Sequence, residues 1–206
     1  MRYLSPAVAG AIALPCLAYF FIASLVMQFL RPDYDWVAAP LSFYLLGPYS
    51  PWLIAGFFAL ATGVLCVALG LHASLETATL RRTSLVLFVA DALGICVVSL
   101  VHTDTAADPG PTTHGLIHYV AAAVAFLSVT LGMLTQSWRF RLDANWRRHF
   151  RTAFPLAVLT FAALLTYVIW RGLPRGAAEK AVILLIVLWL LLASRWLMLT
   201  RQPRAG

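Results

Sequence analysis

Six long apolar runs, separated by short polar breaks, leave this chain few ways to fold; they cover residues 7–30, 52–71, 84–101, 115–134, 152–170 and 181–199. About 20 apolar residues in an α-helix cross the hydrocarbon core of a bilayer. Lipid offers no partners for backbone amides, so only helices and closed barrels span it, and continuous runs without alternation select helices. The predicted fold class is therefore all-α: a polytopic membrane protein whose residues 1–206 form a single transmembrane domain of six helices, with no separate soluble domain. The stretch from Tyr3 to Leu30 carries no charge and is longer than the apolar part of a signal peptide, so it reads as a retained first helix.

Composition agrees: 62% of the residues are hydrophobic and 11% charged, far from the balance of a soluble domain. The net charge of +7 does not point to nucleic acid, because the basic residues lie between apolar runs, where they meet the headgroups of membrane lipid. Their distribution sets an orientation. With the N-terminus inside, Arg2, Arg81, Arg82, Arg139, Arg141, Arg147, Arg148, Arg151, Arg195, Arg201 and Arg204 are cytoplasmic, against Arg31, Arg171, Arg175 and Lys180 outside. The positive-inside rule then gives an N-in/C-in, multi-pass protein of the plasma (inner) membrane.

Cys16, Cys66 and Cys96 each sit inside an apolar run, without CxxC spacing, and read as packing residues. Trp138, Leu142, Trp146 and Phe150 recur every four residues among arginines, the pattern of a helix end lying along the inner headgroups. Small residues form two seams, Gly56, Gly63 and Gly70 in the second span and Ala121, Ala125, Ser128 and Gly132 in the fourth, where helices can approach closely.

Polar chemistry is concentrated on the outer side, where Asp33, Asp35, Asp104 and Asp108 accompany His102, His114 and His118; His72 and His149 read as interfacial residues on the inner side. The turn former Asp108-Pro109-Gly110 folds the loop before the fourth helix, with Thr113 as its expected N-cap. His114 and His118 share a helix face that continues through Ala121, Ala122 and Ala125, so His118 is expected to point into the bundle. Asp91 and His102 return to nearly the same face of the third helix at heights differing by roughly 16 Å, which puts Asp91 deep in the membrane. An acid there is costly and needs a partner.

His102, Asp104, His114 and His118 are thus expected to surround one outward pocket with Asp91 beneath, and Asp104 to hydrogen-bond the His118 ring. Imidazoles with a carboxylate suit zinc. His102, His114 and His118 as metal ligands, with Asp104, His118 and Asp91 as catalytic groups, would hydrolyse a lipid ester or amide. Without metal, the same groups hold the polar end of a lipid or small amphiphile, or relay protons in a small transporter that uses Asp91. Helix-end hydrogen bonding is the plainer role for the histidines, and a structural partner in a membrane complex is a further reading.

Two segments resemble a known family. The stretch from Asp35 to Pro51, with Leu41-Ser42 and a Pro-rich approach to the second span, is similar to the first outer loop of the bacterial and archaeal membrane proteins grouped as DUF998. Val101-His102-Thr103-Asp104 and Thr113-His114-Gly115-Leu116-Ile117-His118 resemble that family's Phe-Pro-x-Asp and Thr-x-Gly-x-x-His pattern. The resemblance marks Ser42, Asp104, Gly115 and His118, and adds Ser42 and Gly115 to His114 as expected ligand-binding positions. It does not mark His102, which stands where the pattern has Pro, or Asp33. It implies a fold and a site location but no reaction.

Overall fold

A computed structural model describes residues 5–105, 108 and 110–199. Six α-helices, α1 (Pro6–Leu30), α2 (Ser50–Ser74), α3 (Arg81–Leu100), α4 (Thr113–Leu142), α5 (Arg147–Ile169) and α6 (Arg175–Leu199), are joined by short connections, with one 3₁₀ turn at Leu41–Leu45. All six are long and apolar enough to cross a membrane, so the chain is a multi-pass membrane protein. Among the described residues there is no strand.

The helices pack in sequence order, each on the next, and α6 closes the ring against α1 while also touching α2 and α4. Lipid is as apolar as leucine, so helix association depends on shape. In α1 the buried stripe is Ala9, Gly10, Ala13, Leu17, Phe20, Ala23 and Met27, mostly small, while the bulkier Ile22, Leu25 and Phe29 face outward. The expected glycine seam of α2 meets this stripe: Gly56 lies against Phe20 and Ala23, Gly63 against Leu17, and Gly70 against Ala9 and Leu197. In the second seam Ala121 and Ala125 abut Gly94 of α3, and Gly132 seats the Phe88 ring. At the centre Trp189 stacks on Phe88 and Phe140, and its indole N–H donates to Ser137 Oγ and the Ala153 carbonyl, both at 3.2 Å.

Three local expectations are corrected. α4 runs unbroken to Leu142, α5 begins at Arg147, and between them Trp146 is buried in a stack with Phe140. The segment around Trp138 is thus two helix ends and a tucked corner, because Phe140 of α4 and His149 of α5 take up the Trp146 ring. Thr112, not Thr113, caps α4, with its hydroxyl accepting from the Gly115 amide at 3.0 Å. α6 starts six residues before the apolar run, at Arg175, because its first turn is stabilised by contacts that a hydropathy pattern does not register.

Those contacts come from the α1–α2 connection. The Gly176 amide donates to the Ala38 carbonyl at 3.1 Å and the Ala177 amide to the Val37 carbonyl at 2.9 Å, so backbone oxygens satisfy amides that a helix leaves open. Lys180 Nζ binds the carbonyls of Trp36 (2.6 Å) and Ala39 (2.8 Å). At the other end of the connection buried Arg31 holds Asp33 at 2.6 Å, reaches the Leu46 carbonyl and lies over the Tyr34 ring. A Cβ on Gly176 would collide with Ala39 O. Gly176→Leu should therefore lower the unfolding temperature, at a cost of about 1–3 kcal/mol. It should also increase the labelling rate of a cysteine placed at Ser42, whereas Gly172→Leu, which meets only the Trp170 side chain, should do neither.

Candidate functional site

The docked connection covers a cavity of about 100 Å³ between α1, α2, α3, α4 and α6. Apolar groups including Phe20, Phe57 and Phe126 make most of its wall; Ser42, Asp91, His118 and Glu179 supply the polar part. Helical spacing explains why these four meet. Asp91 belongs to the buried face of α3 with Phe88, Ile95 and Val98, and His118 to that of α4 with Gly115, Ala121 and Ala125. Glu179 begins the α6 stripe that continues through Val182, Ile186 and Leu190.

The two acids differ in how they are satisfied. Glu179 is buried, with Oε1 accepting from the Leu41 amide at 3.1 Å and Oε2 from the Tyr167 hydroxyl at 3.2 Å. Arg175 in turn donates to the Tyr167 carbonyl and lies 4.0 Å over its ring. Asp91 is only 2% exposed, and its Oδ2 has no hydrogen-bond partner. An acid at the centre of a transmembrane helix costs about 3 kcal/mol, so an unpartnered carboxyl oxygen there stands out. The His118 ring places Nδ1 2.7 Å from the Val101 carbonyl. A carbonyl only accepts, so Nδ1 carries a hydrogen and Nε2 is left for a second partner.

The expected Asp104–His118 hydrogen bond is not formed. The Asp104 carboxylate instead takes the Thr112 hydroxyl at 2.5 Å and the Thr112 amide at 3.0 Å, while His118 turns to the chain end of α3. Asp104, Thr112 and the Gly115 amide form a relay at the N-terminus of α4, where a negative charge is favoured. The Thr112 hydrogen bonds, above all that of its hydroxyl, hold the Asp104 carboxyl below the usual carboxylate range, with smaller help from His114 and His118. A Cβ on Gly115 would collide with this carboxylate, so the two residues marked by the family pattern interlock physically.

The metal set is corrected as well. His102 and His114 are exposed and His118 is buried, and among the described residues no three His, Cys, Asp or Glu side chains converge as a metal site. Of the expected residues, then, Ser42, Asp91 and His118 share the cavity, Asp104 and Gly115 brace the helix above it, and His102 and His114 stand apart. Glu179 was not among the expected site residues. The signal lay in the buried spacing of 179, 182, 186 and 190, which begins before the apolar run does.

Two outcomes test the brace. Gly115→Ala should cost about 1–3 kcal/mol in the wild-type background but little in Asp104→Ala, because the collision and the lost hydrogen bonds are one event. The Asp104 carboxyl is lowered on folding, so its contribution is present above the unfolded pKa of about 4 and disappears as pH falls through the folded value. The melting-temperature gap between wild type and Asp104→Asn should therefore shrink as the pH is lowered from about 6 towards 3. A gap that stays constant would mean that the charge is immaterial.

A family model for a protein of unknown function, DUF998, matches residues 14–196. The chain matches no curated protein and no solved structure. With the match running from within α1 to the last turns of α6, across the connection that covers the cavity, the chain belongs to the DUF998 family.

Proposed function

We propose that the protein binds a small amphiphile in this cavity, with the apolar part of the ligand among the phenylalanines and its polar end at Asp91. The observation that carries the reading is the unpartnered Asp91 Oδ2 in a largely apolar wall. What is missing there is a donor or a positive charge, so an alkylammonium or other donor-bearing headgroup suits the site better than a carboxylate does. The volume is comparable with the roughly 150 Å³ engineered cavity that admits benzene, which limits the buried part to a handful of heavy atoms. A second reading, proton-coupled transport, is favoured by Glu179 and His118 lining the same cavity as Asp91, since buried ionisable groups in a row can pass protons. On either reading the cavity opens to the outside of the plasma membrane, in the N-in/C-in orientation supported by the distribution of Lys and Arg.

Short alkylamines should raise the unfolding temperature of the purified protein more than alcohols of equal chain length. Asp91→Asn should abolish that difference, and equal shifts in both proteins would refute the amphiphile reading. For transport, a flux driven by a pH gradient in proteoliposomes should vanish in Asp91→Asn and weaken in Glu179→Gln. Orientation has its own check: in a background without the native cysteines, Pro111→Cys should react with an impermeant reagent in intact cells and Ala144→Cys should not. The reverse pattern would invert the topology.

A further inference from the structure

At the end of the bundle opposite the cavity, α2, α3 and α4 bring together His72, Arg81, Gln136 and Arg139. Arg139 is 1% exposed. Its guanidinium donates to Gln136 Oε1 at 2.9 Å and to the Thr77 carbonyl at 3.2 Å, and Nε has no partner. Ser84 Oγ also donates to Gln136 Oε1, at 2.7 Å; because arginine only donates, the atom it meets is the amide oxygen, and the Nε2 donors are left unpartnered. Arg81 Nε and His72 Nδ1 are likewise buried without a partner. The ring and both guanidiniums lie within one another's electrostatic field.

No carboxylate forms an ion pair with them, and only Asp143 acts on Arg139 through its charge. All eight acidic residues of the chain lie within the described residues, and among these the only ion pair is Arg31–Asp33. The nearest acid, Asp143, spends both oxygens on backbone, Oδ2 accepting from the Glu76 amide at 2.9 Å and Oδ1 from the Asn145 amide at 3.0 Å. The first turn of α3, which starts at Arg81, has no side-chain cap. The corner therefore holds more donors than its acceptors, Gln136 Oε1 and the Thr77 and Arg81 backbone, can take, together with an excess of positive charge. Water could fill single donors but would leave the charge uncompensated. A tetrahedral oxyanion does both, because its oxygens face several directions and form charge-assisted bonds to arginine.

We propose that this corner is a binding site for a phosphate-type oxyanion, taken up by Arg81 and Arg139 with the Gln136 amide and His72 as further donors. Arg81 is half-buried at the start of α3 and forms the approach, and Arg139 is the floor. The phosphate belongs either to a lipid headgroup or to a free anion, and the chemistry of the corner is the same for both. The site is separate from the cavity and independent of the function proposed for it.

The full-length protein in phosphatidylcholine nanodiscs tests this by thermal unfolding against inorganic phosphate, with chloride at equal ionic strength as the reference. A saturable rise in unfolding temperature with phosphate, half-saturating at tenfold or more higher concentration in Arg81→Gln, supports a free anion. A rise on adding phosphatidic acid to the nanodiscs but not on adding phosphate, again weakened in Arg81→Gln, supports a lipid headgroup. Arg139→Lys, which keeps the charge but loses the fork, provides a second weakened variant should Arg81→Gln fail to fold. Arg141→Gln, on an exposed arginine whose guanidinium sits over the Trp138 ring, should respond as wild type does. The proposal is overturned if chloride matches phosphate, if neither anion source has an effect, or if Arg141→Gln weakens the response as much as the other two variants do.

Discussion

Two backbone hydrogen bonds, from Gly176 and Ala177 to the carbonyls of Ala38 and Val37, organise one whole end of this molecule. A helix that starts near the membrane surface must place its first amides somewhere, and here they are satisfied by a connection rather than by a capping side chain. Once that connection is tied to α6, Leu41 is within reach of Glu179, Ser42 faces the cavity, and Lys180 can close over Trp36 and Ala39. Gly176 is required for geometric reasons alone, since the carbonyl of Ala39 occupies the space where a side chain would go.

The two ends of the bundle leave different groups without partners. Within the cavity the unpartnered group is the Asp91 carboxyl, at Oδ2. At the far end the unfilled groups belong to donors, on Arg81, Gln136 and Arg139. Buried polar groups in lipid are expensive when unmatched, so each deficit marks a place where the fold departs from the cheapest arrangement of its helices. Between them lies a layer held by shape: the α1–α2 glycine seam and the Trp189 stack. The bundle is rigid in the middle and chemically open at the ends.

The six helices were legible in the sequence because length and hydropathy report directly on the bilayer. The glycine seams were legible because small residues recurring on one face have few other uses in a membrane. Asp91 announced itself by cost, and His118 by its alanine-lined face. What failed was inference from proximity along the chain. Asp104, His102 and His114 lie beside His118 in sequence, yet Asp104 is taken by Thr112 and the two histidines turn outward, since a loop residue near a helix end satisfies open backbone amides before it reaches a neighbour's ring. Glu179 was missed for the opposite reason. Its partners, Leu41 and Tyr167, lie on other elements, and next to Lys180 it looks like an ordinary polar residue before an apolar run.

The contact between Leu41 and Glu179 joins residues 138 positions apart and connects the first connection of the chain to its last helix. During synthesis that connection is finished long before α6 exists. Its carbonyls at Val37 and Ala38, and its amide at Leu41, must remain in water or bonded to provisional partners until the final helix is threaded into the bilayer. The end of the molecule that covers the cavity is therefore the last to be assembled, and a chain interrupted before residue 175 would carry five membrane helices, a chamber missing the wall that α6 supplies, and a cover with nothing to tie it down.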